Sequence, residues 1–469
     1  MNNPFIIVIF GATGDLTRAK LLPSLFNLFK KGMLPKDFYI YGFARRDLKN
    51  EDFHALFPKL SSEVHWEDFI KHLYYQQGNF SELQGYQELI TKLSRIEKKD
   101  GVEIPKIFYL ATPPVHYEEI LSKLEETKLS DRTSSRIAIE KPFGKDLATA
   151  KHLDSRLSDI FEEHQIFRVD HYLGKENVQN MLAFRFANGI FEPVWNNKFI
   201  DHIQVTMSEK NGIGTRGKFF DGVGNLRDVA QNHLLQLVAA VAMEQPKSFT
   251  KEDVRDARAK AISSIMPIAS ESIGTRVVRG QYNTYRNEKD VASDSDTETY
   301  VALKFEMDTP RMKGVPIYLR AGKKMNRDIV EISIVFIQTC HVLFKEYGCP
   351  EIGNVITIRI QPDEGIKMRF IAKTPGSKLS LQPVEMSFDY EHGFGNKGLD
   401  AYEKVLEDIL NGDQMLFNRS DELQSSWEFI TNILHEWNPS NAPIYSYEDS
   451  SDGPSEADDL IERDGRKWL

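Results

Sequence analysis

The apolar positions of this chain change their period once along its length. In the opening 170 residues, short runs centred on apolar residues recur at 5–10 (FIIVIF), 38–43 (FYIYGF), 106–111 (KIFYLA), 135–140 (SRIAIE) and 165–169 (QIFRV). Runs this short suit strands buried on both faces better than helices. Segments with helical spacing lie between them, among them 16–30, with Leu21, Leu22, Leu25, Leu28 and Phe29, and 51–99, which reads as helical throughout. Strand alternating with helix predicts a doubly wound parallel sheet of Rossmann type, with its chemistry at the carboxyl ends of the strands.

Further on the period becomes two, as in Val301, Leu303 and Phe305, then Val330, Ile332, Ile334 and Phe336, then Ile356, Ile358 and Ile360. Such alternation leaves one face buried and one open. Strands over 297–307, 315–321, 329–338, 355–361 and 366–373 predict a mostly antiparallel sheet in a larger α+β domain. The fold class is therefore α/β followed by α+β, with domains expected at 1–172 and 173–469 and the junction inside RVDHYLGKE, 168–176. A helix over 223–243 carries the stripe Leu226, Val229, Ala230, Leu234, Leu237, Val238 and Val241, with His233 in or beside it. His233 is open to two readings, a satisfied core histidine or a base. Arg227, Asp228, Gln231 and Asn232 crowd the same helix, and buried polar groups need partners, of which a ligand is one kind.

Composition narrows the classes. A chain of 469 residues exceeds one ordinary core. A net charge of −10 argues against a general nucleic-acid binder, so any phosphate-bearing ligand needs a local basic cluster. The two cysteines, Cys340 and Cys349, form neither a disulfide framework nor a zinc pattern, and no metal-binding motif is evident. No leader and no membrane-length apolar run is found, so a cytoplasmic, membrane-free protein is expected.

Candidate chemistry sits where elements change. Gly11-Ala12-Thr13-Gly14-Asp15-Leu16 joins the first strand to a helix, a turn whose backbone N–H groups can meet a pyrophosphate. Arg45 and Arg46 follow the second strand, where an NAD-binding unit more often carries an acid; guanidinium groups there suit a 2′-phosphate and favour NADP. Lys141 ends the strand at 135–140. Asp170, His171, Tyr172 and Lys175 cluster after the strand at 165–169, while Lys323 and Gln361 end two later strands.

The chain resembles the glucose-6-phosphate dehydrogenases along nearly its whole length. The resemblance rests on GATGDL (11–16), YGFARRDL (41–48), YLATPP (109–114), EKPFG (140–144), RVDHYLGKE (168–176), FDGVGNLRDVAQNHLLQL (220–237) and YLRAGKKM (318–325). It implies oxidation of C1 of glucose 6-phosphate to the lactone with hydride transfer to NADP, the first step of the oxidative pentose phosphate pathway. It also implies a homodimer or homotetramer. By matching motif, His233 falls on the base and Asp170 on the acid that pairs with it, the two expected within hydrogen-bond reach. His171, Tyr172 and Lys175 fall on the phosphate site, with Lys323 in the same role. Lys141 falls on a lysine shared by substrate and cofactor, and Glu209, Asp228 and Gln361 on residues holding sugar hydroxyls. Gly11, Thr13, Gly14, Asp15 and Leu16 match the cofactor's phosphate turn, and Arg45 with Arg46 the 2′-phosphate contact. The stretch 445–454 (YSYEDSSDGP) departs from the family's tryptophan-containing turn, and a second, structural NADP site is not carried over. The rival readings are an idle NADP sensor on the same fold, and an enzyme for free glucose or another hexose phosphate.

Overall fold

Six strands form a wholly parallel sheet in the order β3-β2-β1-β4-β5-β6: β1 (Phe5–Phe10), β2 (Phe38–Ala44), β3 (Leu73–Gln77), β4 (Lys106–Leu110), β5 (Arg136–Glu140) and β6 (Ile166–Val169). The computed structural model describes residues 3–101, 103–130, 133–389, 393, 395, 398–437 and 442–469. All six residues of β1 are buried, as expected for a strand paired on both edges and covered on both faces. β3 corrects the expectation that 51–99 is helical throughout. It is a five-residue edge strand ending in two glutamines, too short and too polar to break a helical pattern by eye.

The chain divides into two compact units. The first comprises residues up to Lys175 together with Thr250–Arg255 and Leu399–Leu423. The returning helix Ala401–Asn411 places Tyr402, Val405, Leu406, Ile409 and Leu410 in the same apolar core as Phe5, Ile7 and Ile9 of β1. Polar contacts fix its ends. Glu403 accepts from Lys31 at 2.6 Å and from Asn27 at 2.9 Å, and Arg136 donates to the carbonyls of Ile409 and Leu410, both at 2.8 Å, satisfying oxygens that a helix end leaves open. Nothing in the local pattern of 399–423 announces this long-range role.

The second unit comprises Glu176–Phe249, Asp256–Gly398 and Gln424–Leu469. Its strands are β7 (Ile200–Ser208), β8 (Val277–Tyr282), β9 (Tyr300–Phe305), β10 (Ile317–Gly322), β11 (Ile329–Phe336), β12 (Val355–Gln361), β13 (Gly365–Lys373), β14 (Leu381–Asp389) and β15 (Ile444–Tyr447). They form a nine-stranded sheet in the order β14-β13-β12-β11-β7-β10-β9-β8-β15 among the described residues. β7–β10 and β8–β15 are parallel and the other pairs antiparallel, the mostly antiparallel sheet anticipated. β7, β8, β14 and β15 were not anticipated. β7 alternates polar and apolar positions from His202 to Ser208, a signal that could have found it, whereas β8 (VVRGQY) has no clean alternation and β14 is largely exposed. Cys340 and Cys349, read in the sequence as no disulfide framework, are joined in a disulfide, their Cα atoms 5.9 Å apart across the connection between β11 and β12. Among the described residues no helix is long and apolar enough to cross a membrane.

Candidate active site

In the first unit the turn after β1 is shaped for backbone and not for side chains. Gly11 has φ +84°, and a Cβ there would stand 2.5 Å from the Ala111 carbonyl oxygen and 2.9 Å from Thr112 Cγ2. Its N–H donates to the Phe43 carbonyl at 2.9 Å, and Gly14 N–H returns to the Gly11 carbonyl at 2.9 Å, so the turn is locked between β1 and β2. Ala12 is buried; Thr13, Gly14 and Leu16 are half-buried. Asp15 is exposed and pairs with Arg18 at 2.6 Å. Helix begins at Asp15, directly after Gly14, and a helix start is where backbone N–H groups can meet an anion. These features fit a dinucleotide pyrophosphate. After β2, Arg45 and Arg46 are exposed, and Tyr75 holds that turn by donating to the Ala44 carbonyl at 3.0 Å and the Arg46 carbonyl at 2.6 Å. Arg45 borders an open groove also lined by Gly78 and Gly85.

The carboxyl ends of β5 and β6 carry Lys141 and Asp170. Asp170 is 1% exposed and accepts the Tyr172 N–H at 3.0 Å, an Asx turn that bends the chain out of β6. Lys175 N–H closes the next turn on the Tyr172 carbonyl at 3.2 Å, and its ammonium lies 4.8 Å from the centroid of the Tyr172 ring. His171 stacks on Tyr402 at 5.8 Å. Gly174 is required by the same helix, since a Cβ there would reach 2.9 Å from the Ala401 carbonyl oxygen. Thus the returning helix shapes the DHYLGK turn, a role no sequence signal indicated. Tyr402 and Glu140, neither expected at the site, also hydrogen-bond each other.

In the second unit, register alone gathers three expected residues. Gly322 pairs with Ser208, Ile329 with Ser208 and Val330 with Gln361, so Glu209, Lys323 and Gln361 sit at one end of four adjoining strands. Lys323 and Glu209 form a salt bridge at 2.5 Å, with the lysine side chain 5% exposed. Each therefore orients the other. The Lys323 carbonyl accepts from Tyr447 at 2.7 Å, and Tyr447 also meets Thr299 Oγ1 at 2.9 Å. The departing stretch 445–454 thus supplies β15 and a support for the lysine loop.

The helix at 223–243 is not uniform: Leu226–Leu234 has π geometry and Leu235–Ala242 is α-helical. In the π segment Asp228 to Leu234 are all buried, polar residues included, and π segments concentrate at functional sites. Its start is built by Glu298, which accepts the Leu226 N–H at 3.0 Å. Gly224, φ +76°, lies so close that a Cβ would come within 2.2 Å of Glu298 Oε1. Several of the crowded polar groups find protein partners, one of the two kinds of partner the sequence left open. Arg227 donates to the Gly222 and Val223 carbonyls, Gln231 to Ser426 at 2.8 Å, and Asn232 accepts the His233 N–H at 2.6 Å. Asp228 accepts from Arg216 at 2.9 Å. His233 is 2% exposed on this helix, which packs against β10. Asp170 belongs to the first unit and His233 to the second.

A parallel sheet in Rossmann order with a glycine-locked turn defines the class of dinucleotide-binding proteins. Residues 8–180 match the family described as "Glucose-6-phosphate dehydrogenase, NAD binding domain" and residues 182–469 the one described as "Glucose-6-phosphate dehydrogenase, C-terminal domain". The chain belongs to the glucose-6-phosphate dehydrogenase family. It is 42% identical to the glucose-6-phosphate 1-dehydrogenase of Chlamydia pneumoniae, covering 99% of this chain and 96% of the relative, and 42% identical to that of Aggregatibacter actinomycetemcomitans, covering 98% and 96%. A solved glucose-6-phosphate dehydrogenase in complex with glucose 6-phosphate superposes with a TM-score of 0.92 at 35% identity, covering 100% of this chain and 99% of that one.

Proposed function

We propose that the protein oxidises C1 of glucose 6-phosphate to the 1,5-lactone, the entry to the oxidative pentose phosphate pathway, with NADP as the preferred acceptor. What carries the reading is that family identity runs through both units while the base, the acid and the phosphate lysine of the family all have counterparts in His233, Asp170 and Lys175.

When bound, the nicotinamide supplies the hydride acceptor. The chain's part is to remove one proton and hold the sugar. His233 takes the proton of the C1 hydroxyl, and Asp170 orients its ring and stabilises the imidazolium that forms. Lys175, His171 and Tyr172 take the phosphate group, binding energy remote from C1 that positions it for reaction. Tyr172 under the Lys175 ammonium limits where that charge can go. Glu209, held by Lys323, and Asp228, held by Arg216, meet sugar hydroxyls together with Gln361. Lys141 bridges sugar and cofactor. Gly11, Thr13, Gly14, Asp15 and Leu16 receive the pyrophosphate, and exposed Arg45 with Arg46 the 2′-phosphate.

The reading extends to a cytoplasmic homo-oligomer. Val384, Met386 and Phe388 are 42%, 65% and 36% exposed on edge strand β14, an apolar margin that a second copy would cover. Light scattering after size exclusion should give a dimer or tetramer mass.

The decisive measurement is kcat/KM for glucose and glucose 6-phosphate, each with NAD and NADP. Turnover is expected with glucose 6-phosphate and NADP foremost. Equal rates on free glucose would move the substrate assignment, and cofactor binding without turnover would favour a sensor. His233→Asn should abolish kcat with substrate still bound, and an active variant would remove His233 as the base.

A further inference from the structure

Glu140 ends β5, one residue before Lys141, and no step above uses it. Its Oε1 accepts the Tyr109 hydroxyl at 2.6 Å, its main-chain carbonyl accepts the Tyr117 hydroxyl at 2.8 Å, and Tyr402 adds a further side-chain hydrogen bond from the returning helix. Register places Glu140 beside Val169, so Asp170 follows directly on the neighbouring strand. The groups acting on the carboxyl are therefore Tyr109 from β4, Lys141 from its own strand end, Asp170 after β6 and Tyr402 from Ala401–Asn411, with Tyr117 of the helix Tyr117–Glu126 nearby on the main-chain carbonyl. A carboxyl built into such a cage is more than an N-terminal remnant of a lysine motif, because it touches the surroundings of two residues assigned to the site.

We infer that Glu140 is a positioning residue whose charge state sets how firmly Lys141 is held at the strand end and how negative the surroundings of Asp170 are. This rests on the functional reading above, which assigns Lys141 and Asp170 their roles. Burial pushes the Glu140 carboxyl up to about 7, against the Tyr109 hydrogen bond, the Lys141 charge and the Tyr402 hydrogen bond, with Asp170 adding to the rise. Burial also pushes the Tyr109 and Tyr402 phenols up, so both remain donors through the neutral range. Above neutrality the carboxylate attracts Lys141; below it the protonated acid does not. An amide has the shape of the protonated acid.

The test is Glu140→Gln, which keeps the volume and an acceptor for Tyr109. KM and kcat for glucose 6-phosphate, and NADP affinity, would be measured from about pH 5.5 to about pH 9, on either side of the ordinary neutral range. The variant should match wild type within about twofold at the acid end and show KM and NADP Kd raised roughly fivefold at the alkaline end, with kcat changed less. Infrared difference spectra, wild type minus variant, should show the protonated carboxyl disappearing near neutrality. A ratio of variant to wild type that stays constant with pH, or a carboxyl already ionised at the acid end, would overturn the proposal. A wild type inactive on glucose 6-phosphate sinks the functional reading alone, because the infrared titration and the pH dependence of NADP affinity still decide the role of Glu140.

Discussion

Replacing Gly11 by alanine perturbs a single methyl group at the point where β1 hands over to the cofactor turn. The backbone there has φ +84°, which costs an alanine about 1–2 kcal/mol. The new Cβ would also meet the Ala111 carbonyl oxygen at 2.5 Å and Thr112 Cγ2 at 2.9 Å. The backbone on either side does not yield easily, because Ala111 N–H is tied to the Phe10 carbonyl at 3.0 Å and Gly11 N–H to the Phe43 carbonyl at 2.9 Å. Overpacking of this kind costs about 1–3 kcal/mol more. A total of ~2–5 kcal/mol is expected, relieved by moving the turn away from β4 and so away from the pyrophosphate position. Fluorescence titration should show NADP affinity reduced about 30-fold or more, corresponding to at least ~2 kcal/mol. Gly32→Ala is the control: φ is +68° but nothing lies within 4 Å, so only the backbone cost applies and affinity should be unchanged. A Gly11→Ala protein that binds NADP within about threefold of wild type and melts with the Gly32→Ala control would refute the steric reasoning.

Three further outcomes follow from the same contacts. Tyr447→Phe removes the donor to the Lys323 carbonyl and should raise KM for glucose 6-phosphate severalfold at ~1–2 kcal/mol, with kcat little changed; steady-state kinetics that leave KM untouched would separate the lysine loop from β15. Glu140 binds its proton more tightly folded than unfolded, so its contribution to stability is full below its ordinary value of 4.5 and is lost as pH rises to about 7. At 1.36 kcal/mol per pH unit this amounts to ~3 kcal/mol, and Glu140→Gln should therefore melt higher than wild type at about pH 8 and not at about pH 4.5, by scanning calorimetry. Glu298→Ala strips the acceptor from the Leu226 N–H and should lower stability by ~1–3 kcal/mol and kcat with it, since the helix bearing Asp228 and His233 loses its start; an unchanged kcat would show that the helix is held elsewhere.

The placement of many candidate residues was legible because they lie at element ends. Gly11, Arg45, Lys141, Asp170 and Lys175 follow strands whose apolar runs are strong, and a motif at a strand end can be placed without knowing the rest of the fold. The roles of Glu209 and Gln361 were weakly anchored in sequence, and it is the pairing of β7, β10, β11 and β12 that brings them to one end with Lys323. Glu140, Tyr402, Glu298 and Tyr447 were missed. Each supports another residue through a contact distant in sequence or hidden inside a motif, and no local period encodes such a partner.

By itself the amino-acid sequence determined the parallel and antiparallel halves, the glycine turn, the basic turn after β2 and the family to which the motifs belong. These depend on periodicity and spacing, which act over a few residues. Only the tertiary structure decided that the helix at 401–411 completes the nucleotide-binding unit, that the π segment 226–234 carries His233, and that the atypical stretch near 447 braces Lys323. Those outcomes depend on which buried surfaces and unpaired polar groups satisfy one another across hundreds of residues, and that choice is made by packing of the whole chain.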